Sequence, residues 1–248
     1  IGVFLDDDAI PRLGWLRAIL EPYRNPEVAC VGGRVVLQFP MNPPEWLTPS
    51  LHSALSAFDL GDQPRRLRDR PGDEYPYGAN ISVRIETATR LGGFSEWVGP
   101  RGNVQLVHDE TDLCYRLDRA GATICYAPEA IVDHVVLPER ISPRWFLDRH
   151  WGRGQSSAIF ELRNRGVRKA LGRIRWHYGK HLRVRGYDPV DPVDPECFAA
   201  ECRRREALGY VAGVSRWVIP LGFRRAARKE SQQGSLAVSA PRRPGPGS

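Results

Sequence analysis

No C-x-x-C pair occurs in this 248-residue chain, and its five cysteines (Cys30, Cys114, Cys125, Cys197, Cys202) are odd in number. That argues against a disulfide framework or a zinc site and favours a reducing compartment. No apolar run approaches the ~20 residues that span a bilayer. There is no internal repeat, and no aromatic–glycine RNA motif, zinc finger or helix-turn-helix signal, which weighs against a nucleic-acid partner. Methionine is reduced to Met41, and lysine to Lys169, Lys180 and Lys229, so arginine carries the net charge of +7.

What is present fits a soluble globular protein. A hydrophobic fraction of 42% and a charged fraction of 26% allow a sizeable core. The charge is unevenly spread. Residues 1–137 sum to −6 and residues 138–230 to +11. A basic half with interleaved aromatics (Trp145, Phe146, Trp151, Trp176, Tyr178, Trp217, Phe223) suits an anionic membrane surface. The plainer reading is a solvated arginine-rich face.

Strands and helices alternate through the first half. Residues 1–5 read as a strand, 11–23 as a helix with Leu13, Leu16, Ile19 and Leu20 on one face, and 28–39 as a strand pair or bent strand. Gly32-Gly33 marks a bulge or a close backbone approach. Residues 40–77 read as a long loop with helical pieces near 51–58. A strand at 79–84, helices at 86–91 and 109–120, and two short strands at 123–127 and 131–136 follow. Helices are expected at 143–160, 166–183 and 196–219, the last two joined by a stiff linker over 188–195. From Ser231 the Ser/Gly/Pro/Gln content predicts a disordered tail over 231–248.

The run Ile1-Gly2-Val3-Phe4-Leu5-Asp6-Asp7-Asp8 is an apolar strand ending in three consecutive carboxylates. Adjacent acids repel, so folding does not ask for them. A hard cation beside substrate phosphates would. The alternative is a solvated acidic turn in which Asp8 or a neighbour caps the next helix.

Three further motifs follow in order. Tyr77-Gly78-Ala79-Asn80-Ile81-Ser82-Val83-Arg84 precedes Gly92-Gly93-Phe94-Ser95-Glu96. Asp109-Glu110-Thr111-Asp112-Leu113-Cys114-Tyr115-Arg116-Leu117 opens a helix. Tyr126-Ala127-Pro128-Glu129-Ala130 leads to His134. This ordered set, over about residues 1–155, resembles family 2 glycosyltransferases. The resemblance implies an α/β fold of GT-A type, a Rossmann-like mixed sheet flanked by helices. It begins at the metal-binding D-x-D strand, so the domain is expected to be incomplete at its N-terminus. The implied organisation is a partial catalytic domain over 1–137, a basic helical extension over 138–230, and the tail.

The resemblance also implies roles. Asp8 would bind Mg²⁺ or Mn²⁺, Asp6 the metal or the donor ribose, and Asp7 would share either role. Glu110 takes the place of the general base, with Asp109 as competitor because the pair is inverted relative to the commoner order. Gly78, Ala79 and Asn80 would border the donor sugar, His134 would touch metal or diphosphate, Asp112 is grouped with the donor-binding residues, and Arg149 and Arg153 could place cations on the diphosphate or the acceptor. Each has a plainer reading: helix-start acids favouring the macrodipole, a strand-entry turn, a structural histidine. The implied reaction is inverting, metal-dependent transfer from a nucleoside diphosphate sugar to a hydroxyl of a cell-envelope polysaccharide, a lipid-linked sugar or a small molecule. It would run in the cytoplasm or at the inner face of the membrane. A sugar nucleotidyltransferase and a non-catalytic membrane-associated scaffold are the rival readings. The strands expected upstream would hold much of the nucleotide pocket, so residues 1–248 alone are expected to bind donor weakly.

Overall fold

A 13-residue strand, β6 (Thr123–Val135), is the spine of the molecule. The computed structural model describes residues 1–70, 74–95, 107–183 and 194–237, with side chains in the last segment up to Trp217. The predicted linker over 188–195 lies largely outside these residues. β6 runs parallel to β3 (Val28–Gln38) along its length. Its other edge is shared: β4 (Arg65–Leu67) pairs antiparallel with Ile124–Tyr126, and β2 (Ala9–Pro11) with Val132–His134. Beyond β3 come β5 (Asn80–Val83) and then β1 (Gly2–Leu5), both antiparallel pairings. The result is a mixed sheet in the order β1-β5-β3-β6-β2.

The pairing of β3 with β6 slips between Gly33 and Arg34, where the partner jumps from Ala127 to Ile131. Pro128 lies in the skipped stretch and has no N–H to give the ladder. The Asn80 amide fills the gap, donating to Arg34 O at 3.0 Å and Ala130 O at 2.7 Å. Gly33 is required here, since a Cβ would fall 2.1 Å from Ala130 O and 2.2 Å from Asn80 Nδ2.

Both sheet faces are covered. On one side Ile19 and Trp15 of α1 (Trp15–Leu20) pack over Val28, Val31, Ala127 and Ala130. On the other, Leu113 and Leu117 of α3 (Asp109–Arg119) and Ala88 of α2 (Ile85–Arg90) meet Ile81, Val83, Ile124 and Tyr126. Full burial of such side chains contributes about 1.5–3 kcal/mol each.

The helical region, α4 (Pro143–Asn164), α5 (Val167–His177) and α6 (Pro195–Ala237), shares a core with the segment after β3. Trp46, Leu51 and Leu55 pack with Val136, Phe146, Phe198 and Cys202. Trp46 sets its ring edge to face with Phe146 and Phe198 at 5.3 and 4.9 Å. α4 and α6 run side by side at backbone contact. A Cβ on Gly154 would fall 2.0 Å from Glu206 O, and one on Gly209 2.3 Å from Trp151 O.

The mixed sheet flanked by helices, with a helical C-terminal region, is the class the sequence predicted. Several details differ. Pro11 ends a strand, and the helix starts only at Trp15 after Gly14, whose φ of +85° suits glycine. The two short strands expected over 123–136 are one, because the Asn80 amide bridges the bulge at Pro128. β4 falls within the predicted loop. α6 reaches Ala237, past the expected start of the tail at Ser231, since Ala, Arg, Lys, Glu and Gln dominate 224–233 and all favour helix.

Candidate active site

The acidic run leaves β1 and turns at once into β2, with Ala9 N donating to Asp6 O at 3.1 Å. β2 pairs with the end of β6, setting Ala9 opposite His134, and Val135 N donates to Asp8 O at 2.9 Å. This register brings Asp6, Asp8 and His134 together, with one ligand atom from each within 4.8 Å of the others. Asp8 Oδ1 lies 2.9 Å from His134 Nε2, and Asp8 Oδ2 3.0 Å from Arg140 Nη1. His134 is 2% exposed, yet neither ring nitrogen makes a hydrogen bond. Partial burial raises the Asp6 carboxyl above its ordinary range; His134 and Arg140 pull it down, and Asp8 and Asp7 push it up. Asp7 itself points to solvent outside the cluster. A Cβ on Gly78 would stand 3.9 Å from Asp6 Oδ1, so this glycine borders the acids.

The candidate base lies at the start of α3. His108 holds a left-handed conformation (φ +84°) at the helix N-cap, where its carbonyl accepts from Asp112 N at 2.9 Å. Such a φ is uncommon outside glycine and often marks a functional segment. Burial pushes the Glu110 carboxyl up to about 8, the hydrogen bond and charge of Asp109 act the same way, and Arg149 opposes them. Arg149, on α4, donates to Ala54 O at 3.3 Å. Burial lowers its guanidinium to about 10, helped by Arg153 and opposed by the charges of Glu110 and Asp6. This half-buried cation therefore feels the charges of both Asp6 and Glu110.

Arg153, one turn on, donates to Ser53 Oγ at 3.2 Å. Beside it His150 Nδ1 lies 2.9 Å from Glu206 Oε2 of α6. Burial works against the Glu206 charge, but the His150 hydrogen bond and Arg153 hold the carboxyl at about 2. A carboxylate from α6 thus balances Arg153 and His150.

Three residues read as donor contacts have structural partners or are buried in the fold. Asn80 is fully buried; its oxygen accepts from Trp15 Nε1 at 3.0 Å and its two N–H groups go to Arg34 O and Ala130 O. Ala79 is buried at 1% exposure. Asp112 bonds Arg116 and accepts from Asn164 Nδ2 at 2.7 Å. The sequence reading missed Arg140, His108 and Glu206, and gave His150 no role of its own within the run from Arg149 to Gly154. Arg140, His150 and Glu206 acquire their carboxylate or imidazole partners through chain-distant packing, which nothing local marks.

Residues 1–157 match the family described as Glycosyltransferase like family 2. Over 131 residues the chain is 34% identical to the pre-mycofactocin glycosyltransferase of Mycobacterium tuberculosis, covering 53% of this chain and 26% of that protein. Over 170 residues it is 30% identical to succinoglycan biosynthesis protein ExoM of Rhizobium meliloti, covering 67% of this chain and 50% of ExoM. The chain thus spans between about a quarter and half of the length of these relatives. A crystal structure of GalNAc-T7 with UDP, GalNAc and Mn²⁺ aligns over 87% of this chain and 41% of its own at 11% identity, with a TM-score of 0.38.

Proposed function

The chain belongs to glycosyltransferase-like family 2, and from that premise we propose that it is an inverting, metal-dependent transferase. It would move a sugar from a nucleoside diphosphate sugar to an acceptor hydroxyl. The observation that carries this reading is the Asp6–Asp8–His134 cluster, with one ligand atom from each within 4.8 Å of the others.

The donor set suits a divalent cation. Two carboxylates offer hard oxygens, and the buried His134 nitrogens are without hydrogen bonds. An imidazole beside carboxylates favours Mn²⁺ over Mg²⁺, which prefers an all-oxygen shell. When bound, such an ion neutralises charge that grows on the departing diphosphate. Arg140 orients the Asp8 carboxylate, and Gly78 leaves room beside Asp6. Arg149 and Arg153 supply forked donors for phosphate oxygens.

Glu110 takes the proton of the acceptor hydroxyl as that oxygen bonds to the anomeric carbon and the sugar–phosphate bond breaks on the opposite side. One base and one displacement invert the anomeric centre. A carboxyl raised toward neutrality is a stronger base than an ordinary one. Asp109, hydrogen-bonded to Glu110, is the competing base.

A hydroxyl on a cell-envelope polysaccharide, a lipid-linked sugar or a small molecule is the acceptor class this reading takes, with the enzyme cytoplasmic and peripheral at the membrane. Among the described residues no helix is long and apolar enough to cross a membrane. The test is release of nucleoside diphosphate from a panel of sugar donors. Mn²⁺-dependent release that disappears in Asp8→Ala is expected; equal turnover in excess chelator overturns the metal-dependent reading.

A further inference from the structure

We propose that α5 and the helical turn after it form a docking surface for an anionic lipid bilayer. Residues 167–183 hold six cations (Arg168, Lys169, Arg173, Arg175, Lys180, Arg183) and no Asp or Glu. The inner face of α5 is fixed: Ala170 packs with Ala158, Tyr210 and Val214, and Tyr210 Oη donates to Ala170 O at 3.4 Å. The outer face is apolar as well as basic. Val167, Leu171 and Tyr178, at i, i+4 and i+11, are 42%, 48% and 58% exposed, and Trp176 on the other flank is 43% exposed. Arg173 and Lys180 lie over the Trp176 ring at 4.5 and 4.9 Å.

Beside α5 opens a cleft of about 1100 Å³ walled by Arg168, Lys169, Arg173 and Trp176. Its two acids, Asp69 and Glu161, are engaged by Arg165. Among the described residues Arg168, Lys169 and Arg173 form no ion pair. Cations without ion-pair partners, on a helix that also exposes aliphatic and aromatic side chains, match a headgroup layer: charge meets the phosphates and the apolar side chains enter the acyl boundary. A nucleic acid would match the charge but leave Val167, Leu171 and Tyr178 in water. The surface refines the peripheral position taken above, and it rests on none of the residues assigned to sugar transfer.

Co-sedimentation of the whole chain with vesicles tests the surface. Binding is expected with phosphatidylglycerol–phosphatidylcholine vesicles, weakening as salt rises, and absent with phosphatidylcholine alone. Each cation near such a surface strengthens binding roughly fivefold, so Arg168→Gln/Lys169→Gln/Arg173→Gln should weaken it about 100-fold. Leu171→Ser should weaken binding at high salt as well, because its contribution is not ionic. Donor turnover without vesicles should be unchanged in both variants, which separates failure of this surface from failure of the transferase reading. Wild-type protein left in the supernatant at low salt, or a triple-Gln variant that binds like wild type, overturns the proposal. So does tighter binding to single-stranded oligonucleotide than to vesicles with the same dependence on the three cations.

Discussion

The His134 imidazole comes within 2.9 Å of Asp8 Oδ1 but is not aligned for a hydrogen bond, and neither ring nitrogen finds another partner. A buried polar group left in that state costs about 1–3 kcal/mol. Such a cost is understandable where a ligand completes the group's bonding. His134→Phe is therefore expected to leave the metal-free protein at least as stable as wild type while abolishing Mn²⁺ binding. Calorimetric titration with Mn²⁺ and the metal-induced rise in Tm give the two readouts. A variant that binds Mn²⁺ like wild type removes His134 from the ligand set.

Glu110→Gln keeps shape and removes basicity. Donor binding should survive while turnover falls roughly 10²-fold or more. A large loss in Asp109→Asn with little in Glu110→Gln would move the base to Asp109.

The same group links activity to stability. An unfolded glutamate ionises near 4.3, whereas Glu110 in the folded protein resists ionisation up to about 8. The folded state is therefore disfavoured progressively as pH rises between these values. Glu110→Gln should raise Tm more at pH 8 than at pH 5. A Tm difference independent of pH contradicts the raised carboxyl.

Glu206 has the opposite sign. Its carboxyl is held at about 2, so its stabilisation is complete above the unfolded value and is lost as pH falls toward the folded one. Glu206→Gln should lower stability by about 1–2 kcal/mol at pH 7 and by little at pH 3. It should also raise KM for the donor more than it lowers kcat, because Arg153 loses a balancing charge. An unchanged KM would confine Glu206 to folding.

Gly154→Ala places a methyl group against backbone, 2.0 Å from Glu206 O and 2.7 Å from Tyr210 N. Backbone cannot swing aside, so α4 and α6 must part, at a cost of about 1–3 kcal/mol. Gly172→Ala, where nothing stands within 4 Å, is the control and should be neutral or slightly stabilising. Equal melting of both variants would contradict the close crossing.

Much of this was legible because it is local. Apolar runs, a glycine pair and the punctuation of Gly121 and Pro138 locate most strands and helices without knowledge of the sheet. The acidic turn and His134 stand out as residue types that strand ends do not need. Three things were hidden. Asn80 reads as a polar residue at a glycine loop, and only the β3–β6 slip shows that its amide replaces missing ladder bonds. Arg140 and Glu206 look like ordinary surface charges until α4 and α6 fold back. β4 is too short to show alternation, and β6 looked broken because Pro128 interrupts a ladder that a side chain repairs.

α4 acts as a gauge rod. Its first turns carry Arg149 and Arg153 to the candidate site, and Gly154 then fixes its depth against α6. A helix rotates about 100° per residue. One residue inserted between Arg153 and Gly154 would rotate both arginines by that angle relative to the Gly154 contact, so the two fits could not both be kept. The helical phase between these arginines and Gly154 is therefore rigidly metered.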